Sequence, residues 1–315
     1  MEAAFNFDTL VWDWIIAIYL FLAGMSAGAV MISIYLKRKV IEGDPAKDGI
    51  IKATAWIAPF GIISGLTILI FHLTKPLAFW KIMIYFNPTS VMSMGVILFQ
   101  VYLMVLFVWI AIIFKDTIMK YMPKQLSFVD GIIVKLAKIE NFWELFLGFM
   151  AVMLAAYTGF LLSALQTYPM LNNPVLPILF LFSSLSSGAA ACMLGGIVVF
   201  KQSPTSATAK WVHSFERPVV MFELFVMLCF FTGLIFSGGQ GEVAAYNAIG
   251  SGFWASWFWW GVIIFGMLMP LALNFFMPAA VRHKNGFIVI VTVLSLVGVL
   301  MLRTFVLYAG QMTVV

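Results

Sequence analysis

Only a few polar side chains interrupt the long apolar runs of this 315-residue sequence, and they are the candidates for chemistry. Burying a polar group in apolar surroundings is costly, so such groups are often retained for a function. Four lie toward one end of the predicted helices, namely Tyr19, His72, Tyr157 and Arg303. Three carboxylates lie toward the other end, namely Glu144, Glu216 and Glu223. Phenol and imidazole groups can bind a polar ligand, whereas buried carboxylates often relay protons.

The spacing leaves two arrangements open for the first set. Tyr157 follows Glu144 by thirteen residues, which places it roughly 20 Å further along a helix that rises about 1.5 Å per residue. Tyr19, His72 and Tyr157 could therefore converge near one end of the first four helices. They could equally be three interfacial side chains that face different ways.

The carboxylates and Arg303 also have competing interpretations. Glu144 and Glu223 predict a proton path, with Glu216 at its entrance one loop away, but Glu144 could instead complement a helix dipole at the membrane surface. Glu223 lies one turn deeper and is predicted to face the interior. Arg303 is expected either to pair with a carboxylate or to extend to the outer surface, in a structural or electrostatic role rather than in direct ligand contact.

No haem or metal site is predicted in this chain. Only His72 is expected at depth, since His213 and His283 fall in predicted loops, and a haem held by two histidines needs a facing pair. Cys192 and Cys229 form no CxxC pair, and no P-loop, GxSxG or HExxH motif occurs.

The composition identifies the elements that must position these residues. Hydrophobic residues make up 63% of the chain and charged residues 10%, against about 45–50% and roughly 25% in soluble domains. Soluble enzymes, disordered chains and nucleic-acid binders are therefore excluded. A membrane-spanning helix needs about 20 apolar residues, and eight such runs occur, at 14–36, 53–72, 91–114, 141–165, 177–200, 219–237, 254–276 and 287–308.

We predict an all-α integral membrane protein with two four-helix bundles, over residues 1–165 and 166–315. The division is based on an internal echo, because Ser26-Ala27-Gly28-Ala29 in the first helix recurs as Ser186-Ser187-Gly188-Ala189 in the fifth, 160 residues later. The GxxxG pattern from Gly24 to Gly28 also predicts close packing of helices.

The distribution of basic residues predicts the orientation. The loops 37–52, 115–140, 201–218 and 277–286 carry fifteen Lys and Arg residues, whereas the termini and the alternate loops carry only Lys75 and Lys81. Because basic loops stay in the cytoplasm, both termini should lie outside, on the periplasmic side in a Gram-negative bacterium. The first helix is preceded by acidic residues and followed by basic ones, which is opposite to a cleavable signal peptide.

Five stretches carry a family resemblance. They are Tyr19–Gly24, Phe71–Trp80, Asn87–Gly95, Tyr157–Ser163 and Leu176–Gly188. In this order and register they resemble the NrfD/polysulfide reductase family of integral membrane subunits. The resemblance covers nearly the whole chain and implies eight helices in two bundles with both termini outside.

The resemblance also implies quinone chemistry. Such subunits oxidise menaquinol, or run in reverse, and anchor an iron–sulfur subunit and a molybdopterin catalytic subunit at the periplasmic face of a bacterial or archaeal inner membrane. Tyr157 matches the tyrosine that binds a quinone oxygen, with His72 and Tyr19 expected nearby. His72 departs from the pattern, since many relatives have an acidic residue there, although imidazole can also accept a proton near neutral pH.

The sequence leaves the terminal substrate and the class of function open. Polysulfide or thiosulfate is the leading terminal substrate of the complex, with nitrite, arsenate, tetrathionate and sulfite as alternatives. The alternative function is a secondary transporter or a proton-conducting protein without a redox role. The echo between helices that run in the same direction argues against the inverted repeats of many transporters.

Overall fold

The computed structural model describes residues 2–121, 128–282 and 284–314, and over these ranges it is helical without strands. Eight of the described helices are long and apolar enough to cross a membrane. They are α1 (Trp14–Lys39), α2 (Gly49–His72), α3 (Val91–Ile113), α4 (Glu140–Ser163), α5 (Leu176–Val198), α6 (Ala207–Ser237), α7 (Phe253–Phe276) and α8 (Asn285–Gly310). The predicted all-α fold is confirmed for this part of the sequence, with eight helices that are candidates to span a membrane. The grouping into two bundles and the side on which the termini lie stay predictions.

The two ends of the helix array are distinct. We call the end that carries Thr9, Trp12 and Gln311 the terminus end, because hydrogen bonds there join the beginning and the end of the protein. The opposite end, where α1 finishes in Lys37, Arg38 and Lys39, is called the basic end. Shorter helices extend the array outside the spanning segments, at Glu2–Phe5, Phe79–Ile84, Lys115–Tyr121, Phe128–Ala137 and Gly239–Ile249.

Helix α6 begins well before the predicted start at residue 219. Ser206 caps it, since its hydroxyl oxygen accepts a hydrogen bond from the amide of Ala209 at 3.2 Å. The helix then continues through Pro218. The prediction that Glu216 and His213 lie in a loop was therefore wrong, because both are within α6. His283 lies outside the described residues.

Helices α1 and α5 cross at the centre of the array. A Cβ atom on Gly28 would overlap the backbone of Ser184, and one on Gly188 would overlap the backbone of Gly28. Small residues at such a crossing let two helix backbones approach closely. Gly28 and Gly188 are the two glycines of the internal echo, so the repeated segments contact each other directly.

A side-chain network fixes α2 and α6 at the basic end. Asp48 caps α2 by accepting from the amide of Ile50 at 2.8 Å, and its other oxygen accepts from Thr208 at 2.8 Å and from the side-chain amide of Gln202 at 3.0 Å. The side-chain oxygen of Gln202 accepts from the backbone amide of Gly49 at 2.9 Å. Gln202 thus ties the start of α2 to the start of α6.

Candidate functional site

A cavity opens at the terminus end among the first four spanning helices. Apolar side chains form most of its walls, including Ile16, Leu66, Leu69, Val96 and Leu161. Trp12, from the segment before α1, and the two phenols Tyr19 and Tyr157 complete the lining together with Phe99 and Met92. An apolar pocket with a few converging polar groups is the usual form of a small-molecule site.

Two of the predicted site residues meet in this cavity. The ring of Phe99 packs against both phenols, with its centroid 5.8 Å from that of Tyr19 and 6.0 Å from that of Tyr157. Both tyrosines are buried. Both residues line the cavity, and no hydrogen bond from either hydroxyl group to the protein occurs within the described residues, although buried phenols usually have a partner. The two hydroxyl groups are therefore available to a ligand.

Gly95 makes room for the hydroxyl group of Tyr157. A Cβ atom at position 95 of α3 would overlap both the hydroxyl oxygen and the ring of Tyr157. The absence of a side chain there thus sets how far the phenol of α4 reaches toward α3. Gly95 ends one of the five family stretches, but this role was not predicted from the sequence.

His72 lies beside the cavity rather than in its lining. It is the last residue of α2, one turn after Leu69, and its Nε2 atom is 4.0 Å from Oδ1 of Asp13. Asp13 caps α1 by accepting from the amide of Ile15 at 3.0 Å. Both side chains are about one-third exposed, so this pair connects the edge of the cavity to the exterior. Asp13 was not predicted as a site residue, although an acidic residue just before a helix is a recognisable cap.

Arg303 is fully buried, and the expectation that it extends to the surface was wrong. Its guanidinium group donates to the hydroxyl groups of Thr158 at 3.0 Å, Ser183 at 2.8 Å and Ser184 at 3.0 Å, and to the carbonyl oxygen of Phe180 at 3.0 Å. It also lies over the Phe180 ring, 3.7 Å from the centroid. Among the ion pairs of the described residues none includes Arg303, so neutral oxygens from α4 and α5 surround this charge.

Glu216 and Glu223 lie two helical turns apart on α6, and both are buried. Glu216 accepts a hydrogen bond from the hydroxyl group of Ser295 in α8 at 2.6 Å. Glu223 interacts electrostatically with Arg303, also in α8, and its Oε1 atom has no hydrogen-bond partner among the described residues. The two carboxylates thus share the side of α6 that faces α8.

Glu144 belongs to a separate cluster at the basic end. It is 2% exposed and forms ion pairs with Lys37 and with Nε of Arg38, the latter at 2.7 Å. Lys37 also pairs with Glu140 at the start of α4. These contacts join α1 to α4, and they give Glu144 a structural explanation that Glu223 lacks.

Nearly the whole sequence matches one protein family and several of its members. The family model described as "Polysulphide reductase, NrfD" matches residues 2–315. The protein is 46% identical to Protein NrfD of Escherichia coli over 99% of its own length and 98% of that relative. It is 46% identical to a Protein NrfD homolog of Haemophilus influenzae, over 98% and 97% of the two lengths. It is 40% identical to the C subunit of polysulfide reductase of Wolinella succinogenes, over 97% and 96%.

Proposed function

Because this protein belongs to the NrfD polysulphide reductase family, we propose that it is the quinone-reactive membrane subunit of an oxidoreductase complex. The observation that carries the proposal is the pair of buried phenols, Tyr19 and Tyr157, without protein partners in an apolar cavity. This arrangement lies at the terminus end, inside the first four spanning helices.

The lining suits a quinone in its chemistry. A quinone ring is flat and apolar and carries two oxygens, so it needs apolar walls and a hydrogen-bond donor. Leu66, Leu69 and Phe99 supply such walls, and the Tyr157 hydroxyl can donate to one oxygen. Tyr19 also lines the cavity, with its ring centroid 5.8 Å from that of Phe99, and can bind the same ligand.

The residues of this protein bind the quinol and take its protons. Menaquinol, when bound, supplies two electrons and two protons as it becomes menaquinone. Tyr157 holds the ring through one oxygen, and the apolar walls exclude water. His72 accepts the two protons one after the other at its imidazole nitrogen, and the exposed side of the pair that it forms with Asp13 returns each proton to solvent.

The electrons leave this protein for partner subunits. We propose an iron–sulfur protein docked at the terminus end and a molybdopterin catalytic subunit beyond it, in a polysulfide or thiosulfate reductase type of complex. The relative that is named as a polysulfide reductase subunit supports this choice. The excess of Lys and Arg at the basic end supports an inner-membrane location with the terminus end on the periplasmic side.

The carboxylates on α6 are proposed to carry protons. Glu216 and Glu223 are buried on the side of α6 that faces α8, which supports a path from the basic end toward Arg303. The sequence also predicted Glu144 as part of this proton path. Its ion pairs with Lys37 and Arg38 instead support the alternative, a structural role at the membrane surface.

The Tyr157→Phe substitution tests the quinone site. It removes the donor to the quinone oxygen, so we expect loss of menaquinol oxidation while an artificial donor still reduces the catalytic subunit. Tyr102→Phe is the matched control, because Tyr102 is also a buried tyrosine of these helices but its hydroxyl bonds Ser26 at 3.0 Å. Quinol turnover unchanged by Tyr157→Phe would contradict the assignment.

A further inference from the structure

The segment before α1 forms part of the cavity wall. Trp12 lines the cavity, and Asp13, the next residue, caps α1 and lies beside His72. The segment is not part of a spanning helix, so the backbone of Trp12 has no helical hydrogen bonds to hold it in place. The position of this wall must therefore be set by other contacts.

One buried side chain from the opposite end of the sequence makes those contacts. The carbonyl oxygen of the Gln311 side chain accepts from the amides of Val11 and Trp12, both at 2.9 Å. Its amide nitrogen donates to the backbone oxygen of Trp12 at 2.8 Å and to that of Leu307 in α8 at 2.9 Å. Gln311 is 0% exposed, so water cannot replace these bonds without rearrangement.

The geometry of these bonds is that of a clamp. Both backbone groups of Trp12 bond to the same side-chain amide, which is itself fixed to the last turn of α8. The backbone oxygen of Gln311 also accepts from the hydroxyl group of Thr9 at 2.7 Å. A residue from the second half of the sequence thus determines where a wall of the cavity in the first half lies.

We propose that Gln311 is a positioning residue for the quinone site, holding Trp12 so that its ring closes the cavity. This inference rests on the proposed function. Gln311 does not itself line the cavity, so its effect on the ligand passes through Trp12. A displacement of a wall by about 1 Å can cost up to roughly 10²-fold in a positioned reaction.

A second contact, made by Phe5, limits the effect of losing the side-chain hydrogen bonds of Gln311. Phe5, at the other end of the segment, packs edge-on against Phe253, Trp254 and Tyr308 with centroid distances of 5.2 to 5.4 Å. The segment would therefore stay attached when Gln311 is replaced. Thr9 would also stay in place, because its carbonyl oxygen accepts from the hydroxyl group of Tyr168 at 2.9 Å and its own hydroxyl group donates to the backbone oxygen of Gln311. Only the stretch between Thr9 and α1, which contains Trp12, would gain freedom.

The test uses the purified whole complex with Gln311→Met, which keeps the volume but removes the four side-chain hydrogen bonds. Affinity for a menaquinone analogue is measured by equilibrium titration. A spin label at position 11, attached through Val11→Cys in a Cys229→Ser background, reports the mobility of the segment, because Val11 is 65% exposed and Cys229 is an exposed thiol. We expect a mobile label and binding weaker by about tenfold or more.

Gln202→Met is the matched control. Gln202 also ties elements together through its side-chain amide, but at the basic end. We expect it to lower thermal stability while leaving both the label and the quinone affinity unchanged. Gln311→Glu, which keeps acceptors for the two amides and loses the donors, provides a second variant if Gln311→Met fails to assemble.

The outcomes separate this inference from the proposed function. If the parent complex binds the analogue and Gln311→Met binds it equally well, the positioning role is wrong, whether or not the label becomes mobile. Equal weakening by Gln202→Met would also overturn it, since the effect would then be general destabilisation. If the parent complex binds no quinone analogue, the proposed function itself has failed.

Discussion

At the scale of single residues, the sequence identified which side chains are unusual but not what surrounds them. Tyr19, Tyr157 and Arg303 were found because polar groups are rare in apolar helices. The neutral oxygens around Arg303 come from Thr158 on α4 and from two serines on α5. Which residues of separate helices meet depends on how those helices rotate and cross, and one sequence does not specify this. The expectation of surface extension was wrong for that reason, whereas the alternative, pairing with a carboxylate, corresponds to the electrostatic interaction of Arg303 with Glu223.

The oxygens of Thr158, Phe180, Ser183 and Ser184 form a cage around Arg303. This cage explains how the guanidinium group can be fully buried. The charge is delocalised over a planar group that can donate several hydrogen bonds at once, and four acceptors with good geometry are present. The Phe180 ring covers one face. Thr158 directly follows Tyr157, so this cage also fixes the part of α4 that carries the cavity phenol.

Gly95→Ala should disturb the proposed quinone site through Tyr157. The added methyl group would overlap the Tyr157 hydroxyl and ring, so the phenol must move. We expect menaquinol oxidation to fall about tenfold or more, with artificial-donor activity intact. Kinetics of quinol oxidation in the purified complex check this expectation.

The control for Gly95→Ala is Gly148→Ala on α4, where a Cβ atom would make only an ordinary 3.8 Å contact with Ile34. A double-mutant cycle adds a sharper criterion. In a Tyr157→Ala background, where no ring occupies the space, Gly95→Ala should have no further effect on quinone affinity. A further loss there would show that Gly95 acts in another way.

At the scale of elements, the apolar runs predicted the spanning helices well and their ends less well. Length and hydropathy suffice to identify a helix that crosses a membrane. They failed at the start of α6, where Ser206 provides the cap and the helix includes the polar residues before Pro218. They also gave no sign that Trp257–Leu268 within α7 has π-helical hydrogen bonding.

The crossing of α1 and α5 leaves no room for a side chain at Gly28. Gly28→Ala should destabilise the protein, because the new methyl group would overlap the Ser184 backbone and force the helices apart. Overpacking of this kind typically costs about 1–3 kcal/mol. Thermal unfolding of the detergent-solubilised protein measures the effect. Gly233→Ala on α6, where a Cβ atom would meet nothing within 4 Å, should not lower the unfolding temperature, because alanine favours a helix over glycine. An equal decrease in the two variants would contradict this account.

At the scale of the whole molecule, the two ends of the helix array differ in chemistry. The terminus end carries the cavity with its phenols, and the basic end carries the ion pairs of Lys37 and Arg38. Quinol oxidation at the terminus end would release protons there, and the electrons would leave on the same side. Such turnover moves no charge across the membrane unless protons also cross the array. The proposed carriers are Glu216 and Glu223, two carboxylates buried on α6.

Glu223→Gln therefore tests whether turnover is electrogenic. The amide keeps the size of the side chain but cannot release a proton, so transfer along α6 should stop while quinone binding persists. In proteoliposomes containing the whole complex, we expect a smaller membrane potential per electron transferred, or blocked turnover. Glu42→Gln is the control, because Glu42 is an exposed carboxylate in the loop after α1 and should not alter the potential. If Glu223→Gln matches the parent protein in both potential and turnover, protons do not pass through Glu223. Its burial beside Arg303 would then have an electrostatic role, offsetting part of the guanidinium charge within the array.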